Sequence, residues 1–276
     1  MKEGLHELTN KEYHSSAGIS KSGLDLVNES PSSYIWRKEA PVNEDKLRVL
    51  DFGSHFHSFF LEPEEFKKNF QVMPSFNRRK PAEKQAELDL IQAMKLDGIT
   101  PVTNDDYIKL NQMRYSALAH PTVKEIMRHG NGVSEQSIYW NDEETGELCK
   151  CRPDYMLQRS DCVQIPDLKT TADISSIEKS IANFRYHVQD AFYTDGISKY
   201  FEGEIDFMFI FVSTTINCGR YPVRVVRLTD CAKYEGRQEY RKNLNTYHSH
   251  KESGSWETVE TVDLPHWAYK EPEIYS

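Results

Sequence analysis

The sequence lacks the features that mark secreted and membrane-embedded proteins. No run of about 18 apolar residues occurs among its 276 residues, so no segment is predicted to span a membrane. The first residues, from Met1 to Glu7, contain no apolar core of the kind that a secretory signal requires. These absences predict a folded protein of the cytoplasm, long enough for one large domain or two small ones.

Cysteine is scarce and shows no paired spacing. The five cysteines lie at positions 149, 151, 162, 218 and 231. Cys149 and Cys151 are separated by one residue instead of two, and no second pair follows at the spacing of a zinc site. An iron–sulfur cluster would need four thiolates in a recognisable run. An odd number of unpaired cysteines predicts free thiols in a reducing compartment.

Motifs for two common kinds of chemistry are also missing. The sequence has no Gly-x-x-x-x-Gly-Lys-Ser/Thr phosphate loop, which argues against ATP-driven work within this chain. It has no Gly-x-Ser-x-Gly nucleophile elbow either. The net charge of -9 at pH 7 argues against a protein that coats nucleic acid over its whole surface. A local basic channel is still compatible with that charge.

The apolar pattern predicts helices first and a sheet afterwards, in one α/β domain with a mixed central sheet. Residues 1–130 are predicted to be mainly helical, residues 131–251 to form a sheet–helix core, and residues 252–276 to form an irregular tail. The predicted helices cover residues 20–39 (with an interruption at Pro31), 47–61, 81–97, 104–129 (with a new start at Pro121), 174–201 and 230–250. The predicted strands cover residues 134–141, 147–157, 162–169, 205–214 and 221–228.

Charged residues mark the ends of two neighbouring apolar runs. Residues two apart in a strand point to the same face, so Asp167 and Lys169 should project together. A hairpin through residues 158–161 would bring Asp154 beside them. Two carboxylates and an ammonium in one place suit a divalent metal and a positioned water, which is the chemistry of phosphodiester hydrolysis. An isolated Asp-x-Lys triplet is weak support, because most such triplets are solvated charges at strand ends.

Further polar candidates lie on the predicted helices. Gln189 and Tyr193 are four residues apart and share one face of a helix, where they could hydrogen-bond phosphate or water. His55 and His57 are two apart on a helix and point about 160° differently, so at most one of them faces a given site. Glu135 opens the predicted strand before the one that contains Asp154, where it could add a carboxylate to a metal. Each of these residues alone is more often an ordinary surface or core residue.

Basic residues form two local groups. Arg78 and Arg79 lie in a predicted loop, and Arg152 lies next to the proposed site. These three are candidates for contacts with DNA phosphates. A solvated loop is an equally good interpretation of the first group.

Five segments in chain order together resemble the PD-(D/E)xK nuclease superfamily, and most closely the RecE-type exodeoxyribonucleases (the exonuclease VIII nuclease domain). One Asp-x-Lys is weak, whereas five motifs in the right order are specific. The resemblance implies a restriction-endonuclease-like α/β core, with a mixed central sheet flanked by helices and an N-terminal helical region. The segments are residues 53–57 (Gly-Ser-His-Phe-His), 135–140 (Glu-Gln-Ser-Ile-Tyr-Trp), 152–154 (Arg-Pro-Asp), 167–171 (Asp-Leu-Lys-Thr-Thr) and 186–193 (Tyr-His-Val-Gln-Asp-Ala-Phe-Tyr).

The resemblance implies a 5′→3′ exonuclease that degrades double-stranded DNA and leaves 3′ single-stranded tails for recombination by strand annealing. Such an enzyme is independent of ATP and uses Mg²⁺ or Mn²⁺, with one or two ions per site. Its implied partners are double-stranded DNA ends and a RecT-like single-strand annealing protein. The resemblance also implies a ring-shaped homo-oligomer, expected to be a tetramer. The implied setting is a bacterial or phage-encoded cytoplasmic protein.

The metal ligands implied by the resemblance come from several segments. His57, Asp154 and Asp167 match the family's metal-binding residues, and the backbone carbonyl of Leu168 completes the shell. Glu135 matches a ligand of a second metal. Asp167 stands where many relatives have Glu, which keeps the carboxylate and shortens its reach by one methylene.

The remaining implied roles concern the attacking water and the support of the site. Lys169 matches the lysine that orients or deprotonates the water. Gln189 and Tyr193 match the Gln-x-x-x-Tyr helix that supports the site. His55 departs from the smaller residue expected at its position and is left out of the metal shell.

Two alternatives remain open. One is another PD-(D/E)xK nuclease, either structure-specific or Cas4-like, although the cysteine positions do not suit the iron–sulfur cluster of a Cas4-like protein. The other is a non-catalytic DNA-binding module that kept the fold, against which the intact set of Asp154, Asp167 and Lys169 argues.

Overall fold

The computed structural model describes residues 1–40, 44–257, 259, 261–265 and 268–269, and within this part it does not describe the side chains of residues 44–51. The helices are α1 (Asn10–Ser15), α2 (Lys21–Glu29), α3 (Pro31–Glu39), α4 (Glu44–Leu61), α5 (Pro63–Asn69), α6 (Pro81–Leu96), α7 (Asn104–Ala119), α8 (Pro121–Arg128), α9 (Ile177–Asn183), α10 (Tyr186–Ile197) and α11 (Asp230–Ser253). The strands are β1 (Gly4–His6), β2 (Phe70–Val72), β3 (Thr100–Val102), β4 (Val133–Ser134), β5 (Ser137–Asn141), β6 (Leu148–Cys151), β7 (Tyr155–Gln158), β8 (Cys162–Thr171), β9 (Glu204–Ser213) and β10 (Val223–Val226).

The largest sheet has five strands in the order β10-β9-β8-β7-β4. Strands β8 and β9 are parallel, and their neighbours in the sheet are antiparallel, so the sheet is mixed as the sequence predicts. A second, antiparallel sheet has the order β1-β5-β6, and β2 and β3 form a short parallel pair. The α/β class and the mixed central sheet are therefore confirmed.

Apolar side chains from β8 and β9 point to both faces of the large sheet. On one face, Phe207, Phe209 and Phe211 pack in a core shared with α10 and α11. On the other face, Leu168 and Ile210 pack in a core shared with α4 and α7. Burial on both faces explains why the sequence of β9 is an almost continuous apolar run instead of an alternating one.

Three predicted elements are each broken in the structure, two of them where the sequence predicts no break. The predicted helix 174–201 is a short 3-10 turn at Ile174–Ser176 followed by α9 and α10, with Arg185 in the left-handed region at φ 53° between the two helices. The predicted strand 147–157 is two strands in different sheets, because Pro153 lies in the connection and lacks the N–H that a continuous ladder needs. Residues 20–39 form two helices, which confirms the interruption predicted at Pro31, and Pro31 occupies the first position of α3.

The fourth broken element is the predicted strand 134–141. It is divided by Glu135, which has a φ of 53°, so that β4 pairs with β7 and β5 pairs with β6. A left-handed residue cannot continue a strand. Strand β4 can therefore join the large sheet while β5 joins the smaller one.

Helix α11 lies directly behind α10. A Cβ atom added to Gly236 would lie 2.1 Å from the backbone oxygen of His187, so only the absence of a side chain allows this approach. No helix in the described part of the chain is long and apolar enough to cross a bilayer. The division into residues 1–130, 131–251 and 252–276 stays a prediction, and much of the predicted tail (residues 258, 260, 266–267 and 270–276) lies outside the described residues.

Candidate active site

Asp154 lies where the β7–β8 hairpin brings two segments of the chain together. It immediately precedes β7, which runs antiparallel to β8. Its Oδ2 atom accepts a 2.7 Å hydrogen bond from the backbone N–H of Leu168. The carboxylate therefore reaches across to the part of β8 that carries Asp167 and Lys169.

Asp167 and Lys169 project from the same face of β8. The Nζ atom of Lys169 lies 2.6 Å from Oδ2 of Asp167. Their partners across the parallel ladder are Phe209 and Phe211, which face α10. The pair thus lies between the sheet and α10, at a point where the core gives way to the solvent-accessible cleft.

Helix α10 supplies the support for this pair. Nε2 of Gln189, which is buried, donates a 2.6 Å hydrogen bond to Oδ1 of Asp167. Tyr193 lies one turn further along and lines the same cleft as Gln189, with its ring edge-on to Phe207. The structure therefore brings Gln189 to the carboxylate directly, and it places Tyr193 in the adjacent wall.

The two histidines of α4 point to different surroundings. Nδ1 of His57 lies 3.3 Å from Oδ2 of Asp154. The ring of His55 packs edge-on against Phe70. Of the two, His57 is thus the one placed beside the predicted metal ligands.

Glu135 is close to Asp154 but is already paired. Its carboxylate lies 2.9 Å from Nε of Arg152, and its N–H donates a hydrogen bond to the backbone oxygen of Asp154. Burial, and next the Asp154 carboxylate, raise the pKa of Glu135 to about 8. Binding a second metal through Glu135 would require the pair with Arg152 to open. That role stays a prediction.

The three predicted DNA-phosphate contacts differ in their surroundings. The Arg152 guanidinium donates to the backbone oxygens of Glu135 and Leu8, so much of its hydrogen-bonding capacity is used within the chain. Arg78 makes a two-pronged ion pair with Glu87. Arg152 lines the cleft, and Arg78 and Arg79 lie outside its lining. Contact of any of them with phosphate stays a prediction.

Two carboxylates held close together dominate the electrostatics of the site. Burial, and next the charge of Asp154, raise the pKa of Asp167, although Lys169 partly offsets this rise. Burial alone would lower the pKa of Lys169, but the carboxylates of Asp167 and Asp154 outweigh it and hold that pKa above its usual value. Lys169 is therefore an ammonium group in this arrangement, and the site carries more negative charge than its one amine neutralises.

The donor set fits a hard divalent cation. Among the residues that the structure describes, no three His, Cys, Asp or Glu side chains converge as a ready-made metal site. However, Oδ2 of Asp167 is buried, faces the ammonium of Lys169, and has no hydrogen bond of good geometry within the described chain. A cation between Asp154 and Asp167 would relieve their repulsion, and His57 would add a third ligand. Water and the Leu168 carbonyl are suitable groups to complete such a shell.

A cleft of about 920 Å³ opens onto this site. Within the described chain, seven Lys or Arg side chains and four Asp or Glu side chains line it, although the whole protein has a net charge of -9. Some of these cations have structural partners. Lys150, for example, is buried and donates to the backbone oxygens of Tyr13 and Ser16. The excess of cations nevertheless makes this cleft a suitable place for a polyanion.

Two residues of the site are not predicted from the sequence. The ring of Tyr186 lies under the ammonium of Lys169, with 4.9 Å between Nζ and the ring centroid. Lys21 lines the cleft and donates a 2.7 Å hydrogen bond to the backbone oxygen of Phe184. Tyr186 lies within a segment that carries the resemblance, so its position was a usable signal. Lys21 lies at the start of α2, where a solvated lysine is the ordinary expectation, but its side chain is only 12% exposed.

Comparison with known families supports the same interpretation of the fold. A family described as "PDDEXK-like domain of unknown function (DUF3799)" matches residues 20–263. The match includes His57, Glu135, Asp154, Asp167, Lys169, Gln189 and Tyr193. None of the curated proteins matches this sequence.

Two solved structures resemble this one to different degrees. A candidate exonuclease from Eubacterium rectale is 16% identical, with a TM-score of 0.60, and the similarity covers 92% of this chain and 89% of that chain. This likeness shows a shared fold over almost the whole length. SSO0001 is 12% identical, with a TM-score of 0.28 over 48% of this chain and 59% of that chain, which is too low to support any conclusion.

Proposed function

The chain belongs to the PDDEXK-like family DUF3799, a nuclease-type domain, and from that premise we propose that it is a metal-dependent exonuclease that degrades double-stranded DNA. One cluster of contacts carries the proposal. The Asp154 carboxylate accepts a hydrogen bond from the backbone of β8, and Lys169 and Gln189 both contact the Asp167 carboxylate. Carboxylates, an amine and a buried amide in contact at the end of a cationic cleft are suited to the hydrolysis of a phosphodiester.

The proposed metal is Mg²⁺ or Mn²⁺, held by Asp154, Asp167 and His57, with one or two ions per site. When bound, such an ion neutralises charge on the scissile phosphate and makes water a better nucleophile. The Leu168 N–H holds Asp154 in a fixed orientation through its hydrogen bond to Oδ2, and Gln189 does the same for Asp167 through Oδ1. Residues that fix ligands in this way commonly change metal affinity or activity by about 10- to 100-fold.

Lys169 acts on the water and on the phosphate. Its ammonium group is confined between Asp167 and the ring of Tyr186. From this position it can donate hydrogen bonds to the attacking water and to a phosphoryl oxygen, and it thereby stabilises the negative charge that develops in the transition state. Because its pKa is raised, Lys169 acts in this arrangement as a donor of hydrogen bonds.

The finer features of the proposal are supported by the family resemblance. These are the 5′→3′ direction, independence from ATP, and the release of 3′ single-stranded tails for strand annealing. The similarity in fold to a candidate exonuclease over 92% of the chain agrees with an enzyme that needs a DNA end. We propose that, with Mg²⁺, the protein removes nucleotides at each duplex end from the strand that terminates there in its 5′ end.

The decisive experiment uses linear and closed circular forms of one DNA, a catalytic variant and a control variant. With Mg²⁺, the wild-type protein should degrade a linear duplex that carries a 5′ label and release the label early, and it should spare the closed circular form of the same DNA. Lys169→Ala should lose at least about 100-fold in rate and still bind DNA. The exposed Lys179→Ala serves as a control and should keep wild-type activity. Early release of a 3′ label would overturn the direction, and cleavage of the circle would indicate an endonuclease.

Partners belong to the same proposal. The resemblance supports a ring-shaped homo-oligomer, taken as a tetramer, that encircles duplex DNA and works with a RecT-like single-strand annealing protein. Sedimentation equilibrium of the purified protein should give a mass near four times 32.1 kDa. A monomer at micromolar concentration that still degrades DNA processively would contradict the ring. Failure to retain a purified annealing protein on the immobilised nuclease would contradict the partnership.

A further inference from the structure

An exposed phenylalanine lies in the turn between α9 and α10. The side chain of Phe184 is 61% exposed, whereas most large apolar side chains near the site are buried. The next residue, Arg185, has a φ of 53°, in the left-handed region that residues other than glycine rarely adopt. Outliers of this kind are found preferentially at functional sites and switch regions, where the surrounding structure holds them in place.

Several contacts hold this turn in its conformation. The Arg185 guanidinium makes contacts of 3.0 Å with Asp25, 3.0 Å with Glu239 and 2.6 Å with Asn243. The backbone oxygen of Phe184 itself accepts the 2.7 Å hydrogen bond from Lys21. Helices α2 and α11 therefore both fix the turn, and the exposed ring of Phe184 sits on a rigid support.

The inner face of Phe184 is covered by a second ring, which connects it to the active site. The rings of Phe184 and Tyr186 are stacked, with 5.6 Å between centroids and 30° between planes. Tyr186 packs in turn against Phe209 in the core, and Lys169 Nζ lies 4.9 Å from the Tyr186 centroid. Phe184 is thus connected to the active-site amine through the single ring of Tyr186. The two distances, 5.6 Å between the ring centroids and 4.9 Å from the Tyr186 centroid to Nζ, together correspond to at most about three base-pair rises of ~3.4 Å each.

We propose that Phe184 is a stacking platform for a nucleobase next to the phosphodiester that is cleaved. The proposal rests on the nuclease function proposed above and adds how the DNA strand is positioned. An aromatic ring with one face on Tyr186 and the other in solvent offers the surface that bases stack on, and such stacking tolerates any base sequence. The cations of the adjacent cleft supply attraction for the phosphates of the same strand.

The test compares Phe184→Ala with Phe184→Tyr, and uses Tyr115→Ala as a control because Tyr115 is an exposed aromatic residue outside the cleft. DNA binding is measured in EDTA, so that no cleavage occurs, with an oligonucleotide that carries 2-aminopurine at its 5′ end. Phe184→Ala should weaken binding by roughly 5- to 150-fold and lose the quenching of 2-aminopurine fluorescence. Phe184→Tyr and Tyr115→Ala should remain close to wild type.

Three results would overturn the proposal. Wild-type binding and quenching in Phe184→Ala would show that no base stacks on this ring. Equal loss in Phe184→Ala and Phe184→Tyr would show that stacking is not what the ring provides. Weaker binding accompanied by a smaller oligomer in sedimentation would assign Phe184 to a contact between subunits.

Failure of the nuclease function would be seen separately. If the wild-type protein released no nucleotides with Mg²⁺ but still quenched 2-aminopurine through Phe184, the stacking platform would stand and the proposed reaction would not. In an active enzyme, Phe184→Ala should slow removal of an abasic 5′-terminal nucleotide much less than removal of a normal one, because the abasic nucleotide has no base to stack. An equal loss with the abasic and the normal nucleotide would place Phe184 in general support of the site and overturn its role in base stacking.

Discussion

The Nε2 atom of Gln189 lies 2.6 Å from Oδ1 of Asp167 and donates a hydrogen bond to it. This contact joins α10 to β8 across the interior of the protein, and both side chains are buried. A buried carboxylate needs donors that stabilise its charge. Gln189 supplies one of them on the side opposite Lys169, so the orientation of Asp167 is fixed from both sides.

Gln189→Glu should therefore reduce nuclease activity by about 10- to 100-fold, because it replaces the donor with a second acceptor beside a buried carboxylate. The Mg²⁺ concentration needed for half-maximal rate should change as well, since the orientation of Asp167 depends on this contact and the new carboxylate would lie beside it. A titration of the rate against Mg²⁺ checks the prediction. Gln238→Glu, which makes the same chemical change at an exposed position of α11, should behave like the wild-type protein. An unchanged Mg²⁺ dependence in Gln189→Glu would mean that the hydrogen bond does not matter for the site.

Binding of Mg²⁺ or Mn²⁺ should stabilise the folded protein. A ligand that binds only the native state adds about 2.7 kcal/mol to the free energy of unfolding at a concentration 100 times its dissociation constant. Because Asp154 and Asp167 repel each other in the absence of a cation, the melting temperature should rise with metal and fall back with EDTA. Asp154→Asn should show little or no rise, and the exposed Asp89→Asn should respond like wild type. A similar metal-induced rise in Asp154→Asn would exclude Asp154 as a ligand.

The sequence predicts the chemistry of the site best where that chemistry depends on the periodicity of one strand. Asp167 and Lys169 are two residues apart in a strand, and that spacing alone places both side chains on one face. The hairpin that follows Asp154 depends on short-range turn signals in the same way. These features are local, so a sequence contains the information needed to predict them.

The break at Arg185 could not be predicted in this way, because distant residues contribute to it, whereas the breaks at Pro31 and Pro153 have local causes. Arg185 is held in a left-handed conformation partly by Asp25, which is 160 residues away in sequence. No local pattern near Arg185 indicates that a helix should end there. The ring of Tyr186 under Lys169 depends on that break as well, since α10 begins immediately after it.

Gly236→Ala should destabilise the protein by up to about 2 kcal/mol. In an exposed helix, replacing Gly with Ala stabilises by about 1 kcal/mol. Here the new Cβ atom would collide with the backbone of His187, which cannot rotate away as a flexible side chain could, and overpacking of this kind typically costs ~1–3 kcal/mol or more. Helix propensity and packing thus predict opposite signs. Urea unfolding measures the difference, with the exposed neighbour Glu235→Ala as the control for the helix itself. Stabilisation in Gly236→Ala would show that α10 and α11 are not packed at this distance.

Asp190→Asn should change the pH dependence of stability. Burial raises the pKa of Asp190 to about 6 in the folded protein, whereas an unfolded chain should have a value of about 3.9. Between these two values the unfolded state releases its proton and the folded state retains it, so the free energy of unfolding falls as the pH rises. The loss is complete above about pH 6. Asn does not titrate, so the variant does not lose stability in this way. The free energy of unfolding of the variant, minus that of the wild type, should therefore increase by about 2–3 kcal/mol between pH 4 and pH 7.

A second variant tests whether the buried carboxyl group is the cause of that change. Thr194 donates a hydrogen bond to Oδ1 of Asp190, and this bond lowers the pKa, while Oδ2 is buried without a hydrogen-bond partner in the described chain. Thr194→Val should therefore raise the pKa of Asp190 further. This variant should then lose more stability than the wild type as the pH rises. Urea unfolding at pH 4.5, 5.5, 6.5 and 7.5 gives all three curves. If the free energies of unfolding of Asp190→Asn and the wild type differ by the same amount at every pH, the pKa of Asp190 is the same in the folded and the unfolded protein. The Asp190 carboxyl group must then be in contact with water in the folded protein.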